Sequence, residues 1–162
     1  MNGAQAHLAL NHLPLFGTFF GFLFLLIALL KNSRELEQAG LWLCLATALG
    51  AIPAFLTGGS AERVVQNLPG IEQDRIEEHE EAALWALVGI EILGAASLAG
   101  LYLSGKTGEP PQRLVQACAI LALVTLAIVG RTAQLGGHIH HPETRSGFQA
   151  ILNEPTGPQA ST

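Results

Sequence analysis

Residues 8–30 read LALNHLPLFGTFFGFLFLLIALL, a stretch rich in Leu and Phe that contains no Asp, Glu, Lys or Arg. An α-helix rises about 1.5 Å per residue, so about 20 apolar residues cross the hydrocarbon core of a bilayer. No Lys or Arg precedes the stretch and no small-residue cleavage site follows it, so we expect a retained helix rather than a cleaved signal peptide. The stretch therefore predicts a first transmembrane helix.

Three more apolar blocks follow, and together the four predict spans at about residues 8–31, 39–57, 82–103 and 114–135. Each span must be helical, because lipid cannot satisfy free backbone N–H and C=O groups. Two of the connections are short, which favours an all-α, up-down-up-down four-helix transmembrane bundle. We expect one domain over residues 1–154 and a disordered tail over 155–162.

Composition limits the function. Apolar residues make up 49% of the chain and charged residues 13%, well below the roughly 25% typical of soluble domains. The net charge is −5 and the eight Lys and Arg residues are scattered, which excludes a nucleic-acid partner and leaves the lipid bilayer as the expected environment. Cys44 and Cys118 fall inside apolar blocks, where we expect them to act as small packing residues.

Several local signals predict where the helices end. Gly58-Gly59-Ser60 is expected to end the second helix, and Gly136-Gly137 to end or loosen the fourth. Pro53 predicts a kink near the end of the second helix. The polar segment after Pro69-Gly70 reads as a helix that starts in water and continues into the third span.

Alternation of four spans puts every histidine on one side of the membrane: His7, His12, His79, His138, His140 and His141. The two short loops on the other side carry Lys31, Arg34, Lys106 and Arg113. Basic residues in short loops favour the cytoplasm. We therefore expect a protein of the bacterial inner membrane with its histidine side in the periplasm.

Two charged residues lie within the predicted spans. Glu91 is close to the middle of the third span, and Arg131 lies a few residues inside the end of the fourth. Charged groups are costly in lipid and usually pair inside the bundle, so the two are predicted to form an intramembrane ion pair. The open alternatives are a proton path through Glu91 and a contact between Arg131 and an anionic cofactor group such as a haem propionate.

The histidines are the main candidates for chemistry. His12, His79 and His141 come from three separate segments at similar depth, and we predict that they form one site, with His7 as a further member. Two imidazoles from different helices can ligate haem iron. The same set with Glu143 suits copper or zinc. Interfacial anchoring of helix ends remains the alternative without chemistry.

Four short motifs resemble those of an uncharacterised family of bacterial four-helix integral membrane proteins. They are Asn11-His12-x-Pro14, Leu56-Thr57-Gly58 with Ala61-Glu62, Glu78-His79-Glu80-x-Ala82, and Leu135-Gly136-Gly137-x-Ile139-x-His141. The resemblance covers roughly residues 6–145 and implies recurring histidines at the positions of His7, His12, His79 and His141, with His138 and His140 as extras. More loosely, the chain is similar to small b-type cytochrome membrane subunits, although their ligands usually lie deeper in the helices.

These observations favour a haem b-binding electron-transfer subunit that passes electrons between a quinol and a periplasmic acceptor. The expected cofactor contacts are His7, His12, His79, His141 and Arg131. One alternative is a copper or zinc protein that uses His12, His79 and His141. The other is a structural or assembly subunit of a larger membrane complex, and in either case other membrane or periplasmic subunits are expected partners.

Overall fold

The computed structural model describes residues 3–144, and within them the chain forms five α-helices and no strand. The helices are α1 (Gly3–Leu10), α2 (His12–Lys31), α3 (Arg34–Val65), α4 (Gln73–Thr107) and α5 (Gln112–His140), followed by a 3₁₀ turn at Pro142–Thr144. Only Asn11 separates α1 from α2, so the two act as one long element. The predicted tail at residues 155–162 lies outside the described residues.

The described chain contains four elements that are long and apolar enough to cross a membrane, namely α1 with α2, α3, α4 and α5. They pack as a closed ring in which α3 contacts α2 and α4, and α5 contacts α4 and α2. Short connections join α2 to α3 and α4 to α5, so neighbouring helices run antiparallel. The predicted all-α four-helix bundle is confirmed.

The core of the bundle is made from small and medium side chains. Leu25, Leu41 and Leu93 are fully buried at its centre, beside the two cysteine thiols. Large apolar residues such as Trp42 and Trp85 instead lie on the outer surface. A surface rich in exposed apolar residues suits a bundle surrounded by lipid, because the acyl chains replace the protein core that would cover such residues in a soluble protein.

The glycine pairs do not end their helices, which differs from the prediction. α3 continues through Gly58 and Gly59 to Val65, and α5 continues through Gly136 and Gly137 to His140. The physical reason is that neither pair adopts the positive φ with which a glycine ends a helix, and an imidazole from a neighbouring helix packs over Gly58 and over Gly136. The prediction that α4 begins before its membrane span is confirmed by its start at Gln73.

Candidate functional site

His7 lies on α1 and points its ring toward the end of α3. Its Nδ1 atom is 3.0 Å from the backbone oxygen of Ala54 and 3.4 Å from the hydroxyl of Thr57. The ring lies over Gly58, where an added Cβ would stand 3.7 Å from the imidazole Cε1. The glycine therefore gives the imidazole a flat place against the helix.

His79 lies near the start of α4 and makes the matching contacts with α5. Its Nδ1 atom is 3.0 Å from the backbone oxygen of Thr132. The ring lies over Gly136, where an added Cβ would come within 3.0 Å of Cε1. Each of the two histidines is thus held by a backbone carbonyl four residues before the glycine that it covers.

The carbonyl partners determine which ring nitrogen carries the proton. A carbonyl oxygen only accepts, so Nδ1 of His7 and Nδ1 of His79 must both donate. In a neutral ring the lone pair is then on Nε2, which is free to bind a metal atom. Histidines that ligate metals commonly donate their other ring N–H to a backbone carbonyl or carboxylate in this way.

The two imidazoles lie at the same end of the bundle. Burial lowers the pKa of His79, the hydrogen bond to the Thr132 carbonyl opposes that shift, and a further Coulomb contribution from His7 lowers the pKa again, which places the two rings within electrostatic range of one another. The candidate site is therefore the pair His7 and His79, at the end of the bundle where α1, α3, α4 and α5 meet. His79 was among the residues expected to lie at the centre of the site, whereas His7 was expected only as an additional member.

The other expected ligands are placed differently. His12 is exposed, with its ring stacked on Phe16 at a centroid distance of 6.4 Å. His141 is exposed and its Nδ1 is 2.8 Å from Glu143 Oε1. Among the residues that the structure describes, no three His, Cys, Asp or Glu side chains are grouped so that they could hold a metal ion. The predicted set of His12, His79 and His141 is thus not brought together.

Glu91 and Arg131 are not joined in the structure either. The Arg131 guanidinium donates to Gln134 on its own helix at 3.0 Å, and Glu91 Oε1 has no hydrogen-bond partner within the described part of the chain. The helix register explains the difference. Gly89 faces Thr125, so Glu91 lies opposite about residue 123, which is 8 residues (131 minus 123) or about 12 Å along the axis from Arg131.

Arg131 instead borders a shallow cavity at the histidine end. The cavity has a volume of about 230 Å³ and is lined by Glu78, Glu81, Ala82, Trp85, Arg131 and Leu135. Its acidic side chains belong to the first turns of α4, which also carry His79. Arg131, the only cation among the lining residues, therefore lies beside carboxylates of α4 close to His79.

The sequence analysis missed the role of the two glycines. It treated Gly58 and Gly136 as helix-ending signals, whereas each one seats an imidazole. The available signal was the recurrence of a Gly-Gly pair near the end of the helix that follows each histidine, at Gly58-Gly59 and at Gly136-Gly137.

Comparison with known proteins adds one finding. A family model described as a predicted membrane protein, DUF2231, matches residues 3–142, which is nearly the whole chain. No curated protein and no solved structure matches the sequence.

Proposed function

The chain belongs to the DUF2231 family of predicted membrane proteins, and on this premise we propose that it is a haem b-binding electron-transfer subunit whose iron is ligated by His7 and His79. The observation that supports this proposal is the pair of imidazoles on different helices, each with Nδ1 bonded to a backbone carbonyl. Their Nε2 atoms are then available to one ligand.

The number of ligands favours haem over a free metal ion. Zinc sites in proteins use three or four protein ligands, whereas a haem brings four nitrogens of its own and needs only two axial ligands. The described residues contain no group of three metal-binding side chains. Two imidazoles without a third ligand therefore suit haem iron better than zinc.

A porphyrin also needs room beside the two rings. Neither described cavity lies between His7 and His79, so haem entry requires α1 to move outward from α3. The short helix α1 contains no fully buried residue, and Asn11 continues its backbone hydrogen bonding into α2. We assign to Arg131, which lies at the same end of the bundle, the part of meeting a haem propionate.

The distribution of charge supports the proposed membrane orientation and the proposed redox partners. The four basic residues of the short loops suit the cytoplasm, which would put the histidine end in the periplasm of a bacterial cell. The first turns of α4 are acidic at Glu77, Glu78, Glu80 and Glu81. An acidic end favours encounter with a basic electron acceptor, because opposite potentials steer association. A quinol in the membrane is the proposed electron donor.

The experiment is an absorption spectrum of the purified protein from cells supplied with haem, oxidised and then reduced with dithionite. We expect a reduced α-band that disappears in His7→Ala and in His79→Ala but persists in the matched controls His12→Ala and His141→Ala. A colourless protein would overturn the proposal. Stoichiometric copper or zinc in that colourless protein would favour a metal-binding protein, and the absence of both would favour a structural or assembly subunit.

A further inference from the structure

The two halves of the bundle repeat the same contacts. In the first half Gly17 faces the Thr47 side chain, and in the second half Gly89 faces the Thr125 side chain. His7 lies over Gly58 as His79 lies over Gly136. The helix order also repeats, because α3 packs on α4 as α5 packs on α2.

Two constant shifts relate the halves. Helices α1 and α2 correspond to α4 at a shift of 72 residues (79 minus 7, and 89 minus 17). Helix α3 corresponds to α5 at a shift of 78 residues (136 minus 58, and 125 minus 47). The difference of six residues lies between the paired helices, because α4 runs four residues past the counterpart of Lys31 and the connection after α4 is two residues longer than the one after α2.

Burial follows the same shifts. The buried residues of α2 are Thr18, Gly21, Leu25 and Ala28, and their counterparts Ile90, Leu93, Ser97 and Gly100 are all buried in α4. Six of the eight buried positions of α3, namely 37, 40, 41, 44, 47 and 51, map onto buried positions 115, 118, 119, 122, 125 and 129 of α5, while 48 and 54 map onto the half-buried positions 126 and 132. Chance alignment of two amphipathic helices does not keep one register over this length while also matching single contacts.

Residue identities persist at these shifts. Leu36, Gln38, Ala39, Leu43, Leu45, Thr47, Gly58 and Gly59 recur as Leu114, Gln116, Ala117, Leu121, Leu123, Thr125, Gly136 and Gly137. By contrast, His12 corresponds to Leu84 and His141 to Arg63. Of the histidines first proposed as ligands, only His7 and His79 are copies of one another.

We infer that the chain is a tandem duplication of one helical hairpin, and that its two copies of one histidine, His7 and His79, bind a single metal atom in equivalent ways across a pseudo-two-fold axis. Both hairpins start at the same end of the bundle, so the axis runs along the membrane normal, as it does for parallel repeats. The identity of the metal as haem iron rests on the proposed function, whereas the two-imidazole site rests on the repeat.

Equivalent binding of one metal atom by His7 and His79 has a chemical consequence. If the bound group is haem, His7 and His79 would be the two protein ligands of its iron, which would leave no position for a substrate or for oxygen. The site would then carry electrons without binding a small molecule. Carbon monoxide, which needs an open axial position, is not expected to bind the reduced original protein.

The first test follows carbon monoxide binding by the reduced full chain. His7→Ala and His79→Ala are each expected to open one axial position and to give similar carbon monoxide spectra, while His12→Ala and His141→Ala resemble the original protein. Haem that is retained, with only one of the first two variants changed, would overturn the equivalence and leave haem binding itself standing.

The second test does not depend on haem. Cu²⁺ is added to haem-free protein in which His12, His138, His140 and His141 are replaced by Asn, and folding is checked by circular dichroism. Electron paramagnetic resonance should show two equivalent imidazole nitrogens, and His7→Asn or His79→Asn should each leave one and weaken Cu²⁺ binding by roughly 10-fold or more. Cu²⁺ that is bound through only one of these residues would overturn the inference even if the original protein contains haem.

Discussion

At the scale of the residue, two glycines without a Cβ lie under the two imidazoles of the candidate site. Gly58 and Gly136 lack the Cβ that would stand beside the imidazoles of His7 and His79. A glycine inside a helix costs roughly 1 kcal/mol relative to alanine. At Gly136 the gain is a close approach of the His79 ring, since a Cβ there would come to 3.0 Å from Cε1, whereas a Cβ at Gly58 would stand 3.7 Å from the His7 ring, an ordinary contact.

This arrangement predicts different outcomes for neighbouring glycines. In Gly136→Ala the new Cβ comes within 3.0 Å of the His79 ring, whereas in Gly137→Ala it meets nothing within 4 Å. Gly137→Ala should stabilise α5 by up to about 1 kcal/mol. Gly136→Ala should be less stable than Gly137→Ala by at least about 1 kcal/mol, since the hydrogen bond from His79 to Thr132 is strained.

Unfolding in detergent, followed by circular dichroism, measures this difference in free energy. Equal stabilities for the two variants would show that the ring does not rest on Gly136. The same pair of variants separates the site from general helix stability, because both replace a glycine of α5 by the same residue.

At the scale of the element, small residues set the distance between helices. Gly94 on α4 is buried against the Cβ of Ala48 on α3. Gly100, also on α4, lies against Leu41 of α3. The small residues of α4 therefore allow close packing against α3 at these positions. In lipid such packing is a main source of helix association, because apolar burial alone does not distinguish protein from acyl chains.

We expect Gly94→Ala to destabilise the bundle by about 1–3 kcal/mol, since the added methyl clashes with Ala48 and must push α3 and α4 apart. Gly105→Ala is the matched control on the same helix. Its Cβ meets nothing within 4 Å, so it should be neutral or slightly stabilising. Thermal unfolding in detergent compares the two, and a Gly94→Ala protein as stable as the control would contradict the packing.

At the scale of the whole molecule, the bundle has two chemically different ends. One end carries the imidazoles of His7 and His79 and the acidic start of α4. The other carries Lys31 and Lys106 at helix ends and an ion pair between Arg34 and Glu109 that links the two loops. The proposed orientation rests on this asymmetry, because basic residues in short loops favour the cytoplasm.

The orientation is tested with single cysteines at positions 66 and 106. Cys44 and Cys118 are fully buried and should not react. A membrane-impermeant maleimide applied to intact cells should label Gln66→Cys on the histidine side and not Lys106→Cys until the cells are opened. Labelling of Lys106→Cys alone in intact cells would reverse the proposed orientation.

The amino-acid sequence by itself determined the four spans and the gathering of histidines at one end. Both are properties of position along one chain: a run of apolar residues either reaches across a bilayer or does not, and alternation then assigns the sides. The start of α4 in the polar segment was predictable for the same reason, because the helical pattern was continuous there.

Only the tertiary structure decided how each histidine is held. His7 packs over Gly58 and His79 over Gly136, while His12 stacks on Phe16 and His141 bonds with Glu143. The depth of Glu91 relative to Arg131 was likewise a matter of register between helices. Register and rotation depend on which side chains interlock across an interface, here Gly17 with Thr47 and Gly89 with Thr125. Hydrophobic periodicity along one helix does not contain that information, because it identifies the buried face but not the partner at each level.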